Sequence, residues 1–115
     1  MRTWPTNNMN KLFIDTTCNK EIIVRLSIDG KDFEEKREIE NNRTQIVLPL
    51  IQQLLKEHNL SAKDLDTIEV NEGPGSFTGV RVGVSIANTL SFALQIPVNT
   101  ITIQKDGHLV EPIYS

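Results

Sequence analysis

The stretch TGVRVGVSIANTLSFAL at 78–94 limits what this chain can fold into more than any other. Val80, Val82, Val84, Ile86, Leu90, Phe92 and Leu94 spread around a helical wheel and leave hardly any face polar, and a helix apolar all round has to be covered on all sides. Gly79, Gly83, Ala87 and Ser91 recur every four residues, so one face carries a stripe of small side chains along which a second helix can come close. With 115 residues the chain makes one small domain. One sheet and one neighbouring helix then cover about two faces of this helix, and the remainder is expected to meet another protein. The alternative is a central helix buried wholly within its own domain.

The helix is entered through EGPGSFTGVRVG at 72–83. Gly73, Gly75 and Gly79 are spaced G-x-G-x-x-x-G, one residue too long for the dinucleotide fingerprint. No Lys occurs between 64 and 104, so the Gly-Lys-Ser/Thr of a phosphate loop is missing as well. Amides at the start of the helix, with Arg81 nearby, leave weak binding of a phosphate or carboxylate open.

Upstream, KLFID at 11–15 and EIIVRLSI at 21–28 read as strands, and Asp29-Gly30 is a two-residue hairpin turn into the charged strand KDFEEKREI at 31–39. Asn41, Asn42 and Thr44 are capping types ahead of a helix at 45–58, with Pro49 in its first turn or bending it. Apolar side chains from Ile46 to Leu55 cover about half of that helix, enough to serve a sheet and a second helix together. Ser61 to Asp64 has the spacing of a capped helical turn, 66–70 reads as a buried strand, and 98–103 as a last strand after Pro97. The order is β-β-β-α-β-α-β, an α/β domain opening as a three-stranded antiparallel meander.

A formal net charge of -3 without basic runs argues against a direct grip on tRNA or duplex nucleic acid. The single cysteine, Cys18, has no partner for a disulfide within the chain, which fits a reducing cytoplasm. No apolar stretch approaches the roughly 20 residues of a membrane span. His58 near a helix end reads as a surface histidine and His108 sits in a polar tail, so no metal site is expected. No Ser/His/Asp set stands out from spacing.

Three segments together, FIDTTCNKEIIVRL, TQIVLPLIQQLLKEHNLSAKDLDTIEV and EGPGSFTGVRVGVSIANTL, resemble the TsaB (YeaZ) family of tRNA threonylcarbamoyladenosine biosynthesis proteins, from about Leu12 to Thr100. The resemblance implies one lobe of an actin-like ATPase (ribonuclease H-like) fold with a mixed five-stranded sheet. It also implies a cytoplasmic, non-catalytic partner of the TsaD subunit, which transfers threonylcarbamoyl to the adenosine beside the anticodon of tRNA. Family members dimerise, or pair with TsaD, through the two helices of this lobe. On that basis the partner surface is expected at Leu48, Ile51 and Leu55 of the first helix and at Gly79, Val82, Gly83, Ile86 and Ala87 of the second. A homodimer is expected when the chain is alone, with tRNA reached only indirectly and no cofactor. A bulky residue at Gly83 would then block docking and leave the monomer folded.

The chain departs from the family pattern in two ways. Asp15, Thr16 and Thr17 stand where actin-like ATPases carry a phosphate-binding turn, without its usual glycine. Typical members continue into a second lobe, whereas this chain stops after QKDGHLVEPIYS. The expected layout is therefore a leader at 1–10, the lobe at 11–103 and a tail at 104–115, with the second lobe lost and ATP held poorly or not at all. The competing reading is a minimal nucleotide-binding or hydrolysing module that uses Asp15, Thr16 and the amides near Gly75.

Overall fold

In the computed structural model, residues 9–39 and 42–101 are described. Strands β1 (Asn10–Asp15), β2 (Glu21–Ile28) and β3 (Lys31–Glu38) form the antiparallel meander. Asp29 (φ 51°) and Gly30 (φ 84°) both take positive φ, the conformation that lets a two-residue turn follow the twist of the strands. The charged β3 lies at one edge of the sheet, where side chains such as Lys36 and Glu38 discourage pairing with another chain.

β4 (Thr67–Asn71) runs parallel to β1, and β5 (Val98–Ile101) parallel to β4, giving the mixed order β3-β2-β1-β4-β5. Asn10, expected in the leader, opens β1 instead. Its amide donates to Asp66 Oδ2 at 2.7 Å and its carbonyl accepts from the Asp66 amide at 2.8 Å, which ties the strand start to the entry of β4. The rest of the expected leader up to residue 8, the last two positions of the expected final strand and the tail with His108 lie outside the described residues.

Alternation along the strands sends Leu12, Ile14, Ile22, Val24, Leu26, Ile68 and Val70 to one face, where all seven are fully buried. Both helices cover that face. α1 (Arg43–Glu57) lies over β2 and β3 and buries Val47, Leu50, Ile51, Leu54 and Leu55, the i, i+3, i+4, i+7, i+8 set of a helix with one wide apolar stripe. Pro49 sits inside it, in the second turn and on the exposed side, where it removes one intrahelical donor. Asn42 caps the start by accepting from the Thr44 amide at 2.8 Å. Asn42→Ala is expected to cost about 1 kcal/mol of stability, read as a lower urea midpoint at constant slope. At the other end His58 caps the helix through its backbone, and its ring packs on Phe33 with centroids 4.0 Å apart.

A 3₁₀ turn at Ala62–Asp64, closed by the Ser61 amide on Asp64 Oδ2 at 2.8 Å, leads into β4. α2 (Phe77–Leu94) follows and packs on β4, β1 and β5 beside α1. The opposite face of the sheet carries charged pairs: Lys11 with Glu69 at 3.4 Å and Arg25 with Glu34 at 2.7 Å. There the Arg25 guanidinium also lies 5.0 Å above the Phe13 ring.

Candidate functional site

The parallel pairing of β1 with β4 places the chain leaving β1 directly beside the chain leaving β4. Asp15 closes the first of these turns on itself: its Oδ1 accepts from the Thr17 amide at 2.9 Å and from Thr17 Oγ1 at 2.7 Å. Its Oδ2 accepts from Asn71 Nδ2 at 3.2 Å, and Asn71 Oδ1 takes the Gly73 amide at 3.1 Å. Gly73 has φ 119°, a backbone that side chains with a Cβ rarely adopt. The two turns then bind each other, the Ser76 amide donating to the Thr17 carbonyl at 2.7 Å. A Cβ on Gly75 would lie 2.6 Å from Thr17 Cβ and 2.7 Å from Thr17 O. Asp15, Thr16 and Gly75, singled out in the sequence as nucleotide candidates, are thus brought together as a packed joint whose carboxylate holds its own backbone.

The same joint decides how α2 is rotated. Ser76 caps the helix through the Gly79 amide at 3.1 Å, and fully buried Thr16 donates its hydroxyl to the Gly79 carbonyl. A Cβ on Gly79 would sit 2.1 Å from Thr16 O, and one on Gly83 2.4 Å from Thr16 Oγ1. Ala87, next along the stripe, is fully buried. The small-residue stripe therefore faces inward and admits the protruding Thr16–Thr17 turn, where the sequence had suggested an approaching partner helix. Gly79, Gly83 and Ala87 are removed from the expected partner surface. The expectation for Gly83 is corrected with them, since a leucine there collides with Thr16 and disrupts the fold itself.

Ile51 and Leu55 are removed too, at 4% and 5% exposure. They belong to the core between α1, α2 and the sheet. Of the expected set, Leu48 at 41% exposure, half-buried Val82 and, at 8%, Ile86 remain accessible. All three line a shallow groove of about 470 Å³ between the helices, with Thr44 from α1 and Thr78, Arg81, Ser85, Thr89 and Leu90 from α2. Phe77 and Phe92, at 54% and 80% exposure, extend the apolar surface toward the two ends of α2. At 18 residues α2 is long and apolar enough to cross a membrane by length and composition, contrary to the sequence expectation. Its packing on β1, β4 and β5 puts its buried residues, Gly79, Val80, Gly83, Ile86 and Ala87, within the domain.

Arg81 does not reach the joint; its guanidinium lies 4.7 Å above the Phe77 ring. Arg43 does, with Nη2 3.5 Å from both the Cys18 carbonyl and Ser76 Oγ. Sequence reasoning missed Arg43 because Ser76 is 33 residues away and no spacing rule relates them. Among the described residues no group of three or more His, Cys, Asp or Glu is placed to hold a metal.

Comparison with known proteins bears on the family and the fold. The family model described as TsaD, tRNA N6-adenosine threonylcarbamoyltransferase, matches residues 37–108. The chain is 33% identical over 114 residues to the tRNA threonylcarbamoyladenosine biosynthesis protein TsaB of Bacillus subtilis, covering 92% of this chain and 50% of that protein. It is 44% identical over 69 residues to the tRNA N6-adenosine threonylcarbamoyltransferase of Nitrosospira multiformis, covering 60% of this chain and 20% of the other. YeaZ from Pseudomonas aeruginosa superposes with a TM-score of 0.76 at 32% identity, over 83% of this chain and 43% of that one. The chain spans half or less of the length of these relatives. A mixed five-stranded sheet with two helices on one face matches the YeaZ structures and the actin-like ATPase fold. With sequence and overall fold both in agreement, the chain belongs to the TsaB (YeaZ) family.

Proposed function

We propose that the chain is a non-catalytic docking subunit in tRNA threonylcarbamoyladenosine biosynthesis, and that it binds a TsaD-type transferase through the groove between α1 and α2. The observation that carries this reading is the exposed Leu48 lining that groove, with exposed Phe77 and Phe92 near the two ends of the same α2. Asp15 supports the non-catalytic part, because both its carboxylate oxygens are occupied in holding the joint. When the transferase is absent, the same surface is left to a second copy of the chain. Binding of tRNA falls to the complex, in keeping with the net charge of -3.

The test is to mix the chain with the transferase subunit of the same organism and follow both the mass of the complex and tRNA modification. A 1:1 complex with raised modification is expected; modification indifferent to the chain would remove the reading. Leu48→Asp places a charge in the groove at an exposed position, so stability should change by less than about 0.5 kcal/mol. Affinity for the transferase should fall by at least about tenfold in calorimetry, a charge having replaced an apolar side chain at the contact.

A further inference from the structure

Arg43 opens α1 and reaches, half-buried, to both turns of the joint. Its surroundings offer it little. Nη2 donates to the Cys18 carbonyl and to Ser76 Oγ at 3.5 Å each, the outer limit of a hydrogen bond. Nε is shielded from solvent, meets no acceptor and lies against Gly79, where a Cβ would be 3.2 Å away. The ion pairs among the described residues leave Arg43 out, and Asp15, the carboxylate of the joint, is engaged with Thr17 and Asn71. Its charge also stands at the positive end of α1, whose first turn holds no acidic residue, and beside the Ser76 cap at the positive end of α2.

These contributions share one sign. Bonds of that length add little, whereas a buried donor without an acceptor, a cation at two helix starts and the ordering of a long side chain each cost free energy. An unbranched apolar side chain would fill the same space without the orphan donor or the charge. The rest of α1 is held differently: its buried residues begin at Val47, and ahead of them Thr44 and Gln45 are exposed and Ile46 is half-buried. We propose that Arg43 is a release catch, held against the joint at a net cost, so that the start of α1 from Arg43 to Ile46 opens while the helix from Val47 onward stays docked. Thr44 and Thr78 line the groove from the two helices, so this opening widens the groove at their end.

Amide hydrogen exchange and urea unfolding of the full chain test the proposal in wild type, Arg43→Met and Lys56→Met. In the wild type, amides from Thr44 to Leu48 are expected to exchange at least about tenfold faster than those from Leu50 to Leu55, at rates insensitive to low urea, the mark of local opening. Arg43→Met should slow them by at least about tenfold and raise the urea midpoint at unchanged slope. Lys56→Met removes the same charge at the far end of the helix and should leave exchange from Thr44 to Leu48 within about twofold. A lower urea midpoint in Arg43→Met, or failure of that variant to fold, would show that Arg43 holds the joint together and would overturn the proposal. Exchange from Thr44 to Leu48 in Arg43→Met within about twofold of wild type would overturn it as well, and so would wild-type exchange there as slow as at Leu50 to Leu55.

Discussion

Gly79→Ala is expected to destabilise the chain by more than about 3 kcal/mol and to leave little folded protein at room temperature. The added methyl would sit 2.1 Å from Thr16 O, well inside contact distance, and the atom it meets is backbone. Moving that oxygen means moving the turn that the Ser76 amide and the Asp15 carboxylate both hold. Moving α2 outward instead gives up the Thr16 hydroxyl bond to Gly79 and the packing of Val80, Ile86 and Ala87. Single domains have about 5–15 kcal/mol in total, so either route takes a large share. Urea unfolding is the measurement, with Ser85→Ala on the exposed side of the helix as the comparison. A loss below about 1 kcal/mol at Gly79 would mean that the joint yields easily.

The second large effect separates two residues that look equivalent in the sequence. Ile51→Ala should cost about 2–5 kcal/mol, since its side chain is 4% exposed in the core between α1, α2 and the sheet and its removal leaves a cavity. Leu48→Ala, one turn earlier at 41% exposure, should change stability by less than about 0.5 kcal/mol. Paired denaturation curves check this directly. Equal losses at the two positions would place Leu48 in the core and would close the groove that the docking role depends on.

Much of the fold was readable before any coordinates, for local reasons. Period-two alternation marked β2 at its observed bounds, Asp29-Gly30 named its own turn, and the apolar run at 78–94 differs from α2 by one residue at its start. The rotation of α2 was not readable. A stripe of small residues says that something comes close, and it does not say whether that is a helix of another protein or a turn of the same one. Here it is Thr16, 63 residues earlier in the chain than Gly79, brought over by the parallel β1–β4 pairing. The wide stripe of α1 is ambiguous in the same way, which is why Ile51 and Leu55 were read as contacts and Leu48 was not told apart from them. The polar lining of the groove, Thr44, Thr78, Ser85 and Thr89, carries no pattern that a sequence reading would notice.

The glycine joint has a further consequence, for how the outer surface can vary. Gly79 and Gly83 fix the azimuth of α2 about its own axis, at about 100° per residue, so they choose which side chains look outward without touching any of them. Phe77, Arg81, Ser85, Asn88 and Phe92 can then be exchanged as a set, to suit a different neighbour, while the hinge-side contacts stay as they are. Inserting a single residue between Ser76 and Gly79 would do the reverse, turning the whole outward set by more than a quarter turn. A keyed seat on one side and a free outer face on the other make this helix like a cut key, whose seat and whose teeth are shaped independently.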